Sequence, residues 1–328
     1  MCGVCGIAGR DAERVIVQRM CSSLAHRGPD GEGIYEDTGI VLGHRRLSII
    51  DLVTGDQPMT NEDGTIWVVY NGEIYNFLDL RRDLEQRGHR FRSQSDTEVL
   101  VHGYEEYGLD FFARLDGIFA FGLWDSRHRR LVLVRDYFGV KPLYYHCDGQ
   151  TLRFASEMKA ILIDPAVERR LDFQALHYFL NLRFIPGERT LFEGISRLPP
   201  AHYLLFEQGR VHLGRYFELP HDPAPHHDEQ YYVEGIRHYL REAVRKQLVS
   251  DVPLGVYLSG GLDSSAIVAC MNELGHTPAQ TFALGFNEPT DELADAQSIA
   301  THFATDHHAL ALDPDPLRHY PEVIWHAE

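Results

Sequence analysis

The chain has 328 residues, and its 31 Lys+Arg against 48 Asp+Glu give a formal net charge of −17. Hydrophobic residues make up 44% and aromatic residues 11%, which is typical of globular domains and excludes a wholly disordered chain. The length suggests two domains, and the acidic balance excludes a general binder of nucleic acids or anionic membranes. No apolar run approaches the roughly 20 residues that span a bilayer. Five scattered cysteines favour free thiols in a cytoplasmic compartment over a disulfide framework.

Residues 2–218 are predicted to form the first domain. The segment Ile66–Tyr70 is rich in β-branched and aromatic residues, and it ends at Asn71-Gly72, a strong turn signal. Apolar patterns predict further strands at 118–124, 131–135, 143–146 and 152–155, and helices at 76–87 and 95–107. Antiparallel strands with helices packed against them predict an α+β layered architecture.

Residues 219–229 are predicted to be a linker, because the stretch 218–229 carries three prolines and three histidines and almost no apolar residues. From residue 230 onward, apolar strands alternate with helices. Helices are predicted at 230–248, 264–274, 291–303 and from Leu317, and strands at 254–258, 281–285 and 308–312. This order is typical of a parallel sheet covered on both faces, so residues 230–328 are predicted to form part of a doubly wound α/β domain.

The segment Ser259–Ser265 (SGGLDSS) lies between a predicted strand and a predicted helix. Its glycines permit a tight turn in which several backbone N–H groups point to one side, and the helix N-terminus adds partial positive charge. These features favour a phosphate-binding loop, although the lysine of the Gly-Lys-Ser/Thr nucleotide loop is missing. Asp263 suits such a site if it shares a Mg²⁺ ion with the phosphates.

Cys2 is a candidate nucleophile. If Met1 is removed, Cys2 carries a thiol and a free α-amine, and the ordinary α-amine pKa of about 7.7–8.0 suits proton transfer near neutrality. Asn71 can offer a side-chain amide and Gly72 a backbone N–H to an oxyanion. Taken singly, each of these residues is better explained as an ordinary small residue or as part of a turn.

The order of several motifs carries more information than any one of them. The motifs are Met-Cys-Gly at 1–3, Arg-Gly-Pro-Asp-Gly at 27–31, Arg-Leu-Ser-Ile at 46–49, Asn-Gly-Glu-Ile-Tyr-Asn at 71–76 and Ser-Asp-Thr-Glu at 95–98. Together they closely resemble the class II glutamine amidotransferases, which are Ntn hydrolases. The segments 116–121, 135–145 and 156–159 and the loop at 259–265 narrow the resemblance to the glutamine-hydrolysing asparagine synthetases.

The resemblance implies a four-layer αββα Ntn-hydrolase sandwich for residues 2–218, followed by part of a doubly wound PP-loop ATP-binding domain. It implies that Cys2 attacks the glutamine side-chain amide while Asn71 and Gly72 hold the oxyanion. Arg46 would bind the α-carboxylate of glutamine, and Glu73 and Asp96 its α-ammonium group. The residues implied for ATP are Leu258, Ser259, Gly260, Gly261, Asp263, Ser264 and Leu284, with Asp263 as a Mg²⁺ ligand.

The implied activity is that of an ATP-dependent C–N ligase. Ammonia from glutamine would reach aspartate, whose side-chain carboxylate ATP activates as an acyl adenylate with loss of pyrophosphate. The implied cofactor is Mg²⁺ with ATP, without an organic prosthetic group, and the resemblance allows a homodimer. Because the family's synthetase domain continues beyond residue 328, this chain is expected to be competent for glutamine hydrolysis only. There are two alternatives. One is a paralogous amidotransferase that acts on another carboxylate acceptor, and the other is a non-catalytic regulatory relative.

Overall fold

A computed structural model describes residues 1–220, 226–313 and 315–327. The chain divides into two compact units, Met1–Pro220 and His221–Glu328. Within the predicted linker 219–229, residues 221–225 lie outside the described residues. No helix in the described part of the chain combines the length and the apolar character that crossing a membrane requires.

The first unit contains two six-stranded sheets and the helices that pack on them. Its strands are β1 (Gly3–Gly9), β2 (Gly31–Asp37), β3 (Ile40–Arg46), β4 (Met59–Thr60), β5 (Ile66–Ile74), β6 (Gly117–Asp125), β7 (Arg130–Arg135), β8 (Tyr144–Cys147), β9 (Thr151–Ala155), β10 (Ile195–Arg197), β11 (His202–Glu207) and β12 (Arg210–Arg215). Its helices are α1 (Arg14–Ser23), α2 (Phe77–Gln86), α3 (Glu98–Tyr107), α4 (Met158–Ile161) and α5 (Phe173–Leu182), with a 3₁₀ helix at Gly108–Arg114.

Both sheets are antiparallel. The strand order is β10-β8-β9-β1-β3-β2 in the first sheet and β12-β11-β7-β6-β5-β4 in the second. The two sheets pack face to face over a buried apolar core that includes Val4, Leu42, Val69 and Leu133. Each such side chain stabilises the fold by about 1.5–3 kcal/mol relative to an exposed one.

The outer face of each sheet is covered by helices. Val17 and Met20 of α1 pack with Ile7 against the first sheet, and Leu84 of α2 and Val101 of α3 pack against the second. The layers therefore follow the order helix, sheet, sheet, helix. The predicted αββα architecture is confirmed.

The predicted turn at Asn71-Gly72 is wrong. Strand β5 runs through both residues to Ile74, because Asn71 pairs with Ala120 and Gly72 with Phe119 of β6. A Cβ atom on Gly72 would lie 2.3 Å from the carbonyl oxygen of Ile118, so glycine here serves a close backbone approach.

The predicted helix at 95–107 begins later, at Glu98. The carboxylate of Asp96 accepts hydrogen bonds from the Tyr70 hydroxyl at 2.7 Å and the Ile74 backbone N–H at 2.9 Å. Asp96 therefore bonds to the Tyr70–Ile74 part of β5 and does not extend the helix. The local pattern of the Ser-Asp-Thr-Glu segment does not indicate this long-range hydrogen bonding to β5.

The second unit contains a parallel sheet in the order β13-β14-β15. Its elements are α6 (Glu229–Gln247), β13 (Gly255–Tyr257), α7 (Leu262–Glu273), β14 (Gln280–Gly285), α8 (Leu293–His302), β15 (Asp306–Ala311) and α9 (Pro316–Ala327). Helices α7 and α8 cover one sheet face through Val268, Ala296 and Ala300. The predicted alternation of helices with parallel strands is confirmed.

The other face of the parallel sheet is exposed in the described residues. Phe282 and Leu284 alternate along β14 with buried residues and are 38% and 49% exposed. Tyr257 of β13 and Leu310 of β15 are also exposed. The sequence predicts a sheet covered on both faces, but the described helices cover only one.

Candidate active site

Cys2 lies directly before β1, a central strand of the first sheet. Its Sγ atom is 3.4 Å from the backbone nitrogen of Leu47, which donates to it, and 3.7 Å from the Leu47 carbonyl oxygen. Arg27 Nε donates to the Cys2 carbonyl oxygen at 3.0 Å. Burial raises the pKa of the Cys2 thiol, although the Leu47 hydrogen bond and the nearby N-terminus act to lower it. The thiol therefore needs a base to become a nucleophile.

Asn71 and Gly72 line the same cavity as Cys2. The Asn71 side chain is buried, and its Nδ2 atom has no hydrogen-bond partner among the described residues. A buried amide donor without a partner is costly to the fold unless a ligand satisfies it. Strand β5 therefore presents a free N–H donor to the cavity, as an oxyanion hole requires.

Arg46 ends β3, and its guanidinium group is buried. Nη1 donates to Asp56 Oδ1 at 2.7 Å, and Nη2 donates to the carbonyl oxygen of Asp51 at 2.5 Å. A side chain at Gly55 would place its Cβ 2.5 Å from Nη2, so that glycine leaves room for the guanidinium group. These contacts hold the positive charge of Arg46 at the wall of the cavity.

Two carboxylates, Glu73 and Asp96, line the cavity together. Burial and the neighbouring Asp96 raise the pKa of Glu73 to about 8, although Lys141 and the N-terminus act to lower it. Burial also raises the pKa of Asp96, against the hydrogen bonds from Ile74 and Tyr70 that favour its ionised form. An ammonium group between these carboxylates would favour their ionised forms.

In the second unit, the glycine loop lies between β13 and α7. Gly260 has a φ of +79°, and a Cβ there would lie 2.6 Å from the Cβ of Asp295. Ser259 Oγ accepts a hydrogen bond from the Gly261 N–H at 3.3 Å and lies 3.0 Å from Ser264 Oγ. The loop is thus a compact turn at the N-terminus of a twelve-residue helix.

The residues predicted for ATP divide into two groups. Leu258, Ser259 and Leu284 line one open pocket at the end of the parallel sheet. The loop residues Gly260, Gly261, Asp263 and Ser264 follow Ser259 along the chain but are not among the residues that line this pocket. Asp263 is exposed in the first turn of α7.

A family model for the glutamine amidotransferase domain matches residues 1–217. The chain belongs to the glutamine amidotransferase family. The cavity around Cys2 lies within the matched residues of this amidotransferase. A second family model, asparagine synthase, matches residues 235–328, which contain the glycine loop.

Curated relatives of this amidotransferase include asparagine synthetases. The chain is 36% identical to asparagine synthetase [glutamine-hydrolyzing] 3 of Bacillus subtilis, over 99% of this chain and 56% of that protein. It is 34% identical to putative asparagine synthetase [glutamine-hydrolyzing] 2 of Methanocaldococcus jannaschii, over 94% of this chain and 64% of that protein. It is 35% identical to amidase chyE of Penicillium rubens, over 93% of this chain and 48% of that protein. The chain thus spans about half to two thirds of the length of these relatives.

Lys141 is a residue of the amidotransferase cavity that the sequence did not single out. Its backbone N–H donates to Asp136 Oδ2 at 3.0 Å, and Asp136 also accepts from the N–H groups of Phe138 and Val140. Burial lowers the pKa of Lys141, and the charge of Glu73 opposes that shift. The Gly-Val-Lys-Pro segment contributed to the resemblance, but nothing local to it indicated that Lys141 lines the cavity of Cys2.

Proposed function

We propose that this chain hydrolyses glutamine with Cys2 as the nucleophile, as the amidotransferase part of a glutamine-dependent asparagine synthetase. The observation that carries the proposal is the cavity that Cys2 shares with the unpartnered amide of Asn71 and with charged groups of both signs. Hydrolysis of the glutamine amide requires a nucleophile, an oxyanion donor and a site for a zwitterionic amino acid. All three are supported by residues of one cavity.

In the first step, the Cys2 sulfur attacks the side-chain carbonyl carbon of glutamine, and Asn71 Nδ2 with the Gly72 N–H stabilises the oxyanion. The C–N bond then breaks, and ammonia leaves with the proton that came from the thiol. Water adds to the resulting thioester and breaks its C–S bond, which releases glutamate and restores the thiol. We assign the proton transfers to the α-amine that Cys2 gains when Met1 is removed.

Charge complementarity supports the orientation of the substrate. The guanidinium group of Arg46 suits the α-carboxylate, because its planar fork matches two carboxylate oxygens. Glu73 and Asp96 suit the α-ammonium group at the other side of the amino acid. Binding of that cation would favour the ionised form of Glu73, whose pKa is otherwise raised by burial.

The second unit is proposed to begin the ATP site of the synthetase. Ser259, Gly260, Gly261 and Ser264 would cradle pyrophosphate, since the loop opens onto a helix N-terminus. Leu258 and Leu284, which line one pocket, would contact adenine. The acceptor is proposed to be the side-chain carboxylate of aspartate, activated as an acyl adenylate. The match to the asparagine synthase model and the names of two relatives support this assignment.

The loop fits a Mg²⁺ ion that accompanies ATP. Asp263 offers an exposed carboxylate, and the nearby Ser265 Oγ is buried without a hydrogen-bond partner among the described residues. Oxygen ligands of this kind are the ones that Mg²⁺ prefers. When bound with ATP, the ion would neutralise charge on the departing pyrophosphate. The cytoplasmic location and the homodimer stay predictions.

The experiment is a glutaminase assay on the purified chain with an untagged N-terminus. Mass spectrometry of the intact protein should show that Met1 is absent from the active fraction. Asn71→Ala should lower kcat for glutamate release by about 10²- to 10³-fold, as loss of one oxyanion donor does. A chain that releases no glutamate, or an Asn71→Ala variant with unchanged kcat, would contradict the proposal.

A further inference from the structure

Four side chains from three separate segments bring donor atoms together beside helix α3, and none of the four lines the Cys2 cavity. Glu62 lies in the turn after β4, His89 follows α2, and His102 and Glu105 lie three residues apart on α3. One ligand atom from each of the four lies within 4.8 Å of the others. We call this group the His–Glu cluster.

The Nδ1 atoms of both histidines face Glu62. His102 Nδ1 is 3.2 Å from Glu62 Oε2, and His89 Nδ1 is 3.7 Å from Glu62 Oε1. Ligand atoms about 2.0–2.1 Å from a tetrahedral zinc ion are separated from each other by about 3.3 Å. The spacing of the donor atoms therefore suits a shared ion.

His102 supplies the second indication of a ligand. Its side chain is fully buried, yet its Nδ1 atom has no hydrogen-bond partner among the described residues. The 3.2 Å approach to Glu62 lacks the geometry of a hydrogen bond, so this buried nitrogen is left unsatisfied within the cluster. A metal ion would satisfy it.

The other ring nitrogen of each histidine faces a carboxylate outside the cluster. His102 Nε2 lies 3.4 Å from Glu98 Oε1, and His89 Nε2 lies 3.5 Å from Glu106 Oε2. Metal-binding histidines usually donate their second N–H to such a carboxylate, which fixes the ring and leaves the first nitrogen as the ligand. Both rings follow this arrangement, with Nδ1 turned inward.

Neighbouring groups also orient the cluster's own carboxylates. Asn61 Nδ2 donates to Glu105 Oε2 at 2.9 Å, and Arg127 contacts Glu105 Oε1 at 3.1 Å. The backbone N–H of Arg90 donates to Glu62 Oε1 at 2.7 Å. The carboxylates are thus held in place, and they add the negative charge that favours a divalent cation.

We propose that Glu62, His89, His102 and Glu105 bind one divalent transition-metal ion, for which Zn²⁺ is the best match. Two imidazole nitrogens with two carboxylate oxygens form a ligand set that zinc accepts in a tetrahedral site. The ion would join the turn after β4 and the segment after α2 to helix α3. It would therefore stabilise the amidotransferase unit and would not take part in glutamine hydrolysis.

The test uses the untagged chain, stripped with a chelator and titrated with Zn²⁺ by calorimetry and with Co²⁺ by visible absorption. One equivalent of each ion is expected to bind, Co²⁺ should give the absorption of a four-coordinate site, and Zn²⁺ should raise the melting temperature. Glu106→Gln should weaken metal affinity by about 10- to 100-fold, because it removes the carboxylate that orients His89. Cys2→Ser should still bind one equivalent of metal ion, which would show that the Cys2 thiol is not a ligand.

His89→Gln and His102→Gln should each lose the stoichiometric equivalent, and His89→Gln provides the test if the buried His102 variant fails to fold. The control is His212→Gln on β12, an exposed histidine outside the cluster. If the histidines form only ion pairs with the glutamates, metal binding will be substoichiometric or equal in His89→Gln and the control. Either result would overturn the proposal.

Discussion

Cys2 and Cys5 are close in sequence, but only Cys2 lines the amidotransferase cavity. Cys5 is fully buried, with its Sγ 3.5 Å from that of Cys21, and burial raises its pKa well above the ordinary value. We therefore expect Cys2→Ala to abolish glutamate release and Cys5→Ala to retain it. A glutamine-like electrophile should modify Cys2 in a peptide map by mass spectrometry. An adduct mainly on Cys5 would show that the nucleophile is misassigned.

Arg46 should control substrate affinity. A charge-assisted hydrogen bond contributes about 1.5–3 kcal/mol, so Arg46→Ala should raise KM for glutamine by about 10- to 150-fold. Arg46→Lys should not restore KM, because an ammonium group cannot form the two parallel contacts. Arg45→Ala is the matched control, since Arg45 pairs with Glu32 at 2.9 Å. Thermal unfolding of each variant distinguishes a loss of substrate affinity from a loss of the structural contacts that Arg46 makes with Asp51 and Asp56. An unchanged KM in Arg46→Ala would refute the assignment.

Glu73 should make stability depend on pH. Burial and the neighbouring Asp96 raise the pKa of Glu73 from its ordinary value of about 4.5 to about 8. Between pH 4.5 and pH 8, the folded chain therefore keeps a proton on Glu73 that the unfolded chain loses. The Glu73 contribution to the free energy of unfolding must therefore fall as pH rises through that window. Urea unfolding at several pH values should show a shallower decline for Glu73→Gln, while the exposed control Glu13→Gln keeps the wild-type slope. Identical slopes for both variants would refute the shift.

At the level of elements, β5 depends on Gly72. A Cβ there would lie 2.3 Å from the Ile118 carbonyl oxygen and 2.7 Å from the Phe119 Cα, both backbone atoms that cannot rotate away. Gly72→Ala should cost about 1–3 kcal/mol of stability, and thermal unfolding should show a melting temperature lower by roughly 2–12 °C. Gly31→Ala on β2 is the control, because its Cβ would meet only the Arg46 Cβ at an ordinary 3.6 Å. Equal melting temperatures for the two variants would contradict this reading.

Strand β5 also shows which parts of the fold the sequence predicts and which it does not. Local patterns predicted the layered architecture, the helix after Asn76 and the parallel strands of the second unit, because apolar periodicity is a local property. They failed at Asn71-Gly72, where pairing with β6 more than forty residues away overrides the turn propensity. Helices α1, α4 and α5, the seven-residue strands β1, β2 and β3, and the strands β4, β10, β11 and β12 were not predicted. Their apolar faces are defined by the sheets and helices that they contact.

The residues of the candidate site were also predicted only in part. The motif order brought Cys2, Arg46, Asn71 and Glu73 to attention, and the structure places all four around one cavity. Lys141 comes from a loop far along the chain, and only tertiary packing brings it to the wall of that cavity. A side chain that reaches a site only through tertiary packing leaves no periodic signal in the sequence.

At the level of the whole molecule, the two units differ in what they provide. Every residue proposed for glutamine hydrolysis lies in the unit Met1–Pro220, whose two sheets are covered by helices on their outer faces. The second unit offers one glycine loop, and its sheet leaves Tyr257, Phe282 and Leu284 exposed in the described residues. Acyl transfer to and from AMP develops charge that needs donors and metal ligands from more than one element.

We therefore expect the 328-residue chain to release glutamate without forming pyrophosphate or asparagine. The measurement is an incubation with glutamine, aspartate and Mg-ATP in which the three products are followed separately. A parallel incubation replaces glutamine with ammonium chloride, which supplies the second site directly and bypasses any defect in glutamine hydrolysis. Cys2→Ala should lose glutamate release and leave the ammonium incubation unchanged. Pyrophosphate that depends on aspartate in either incubation would show that one glycine loop on a half-covered sheet suffices for adenylation, and the prediction would be wrong.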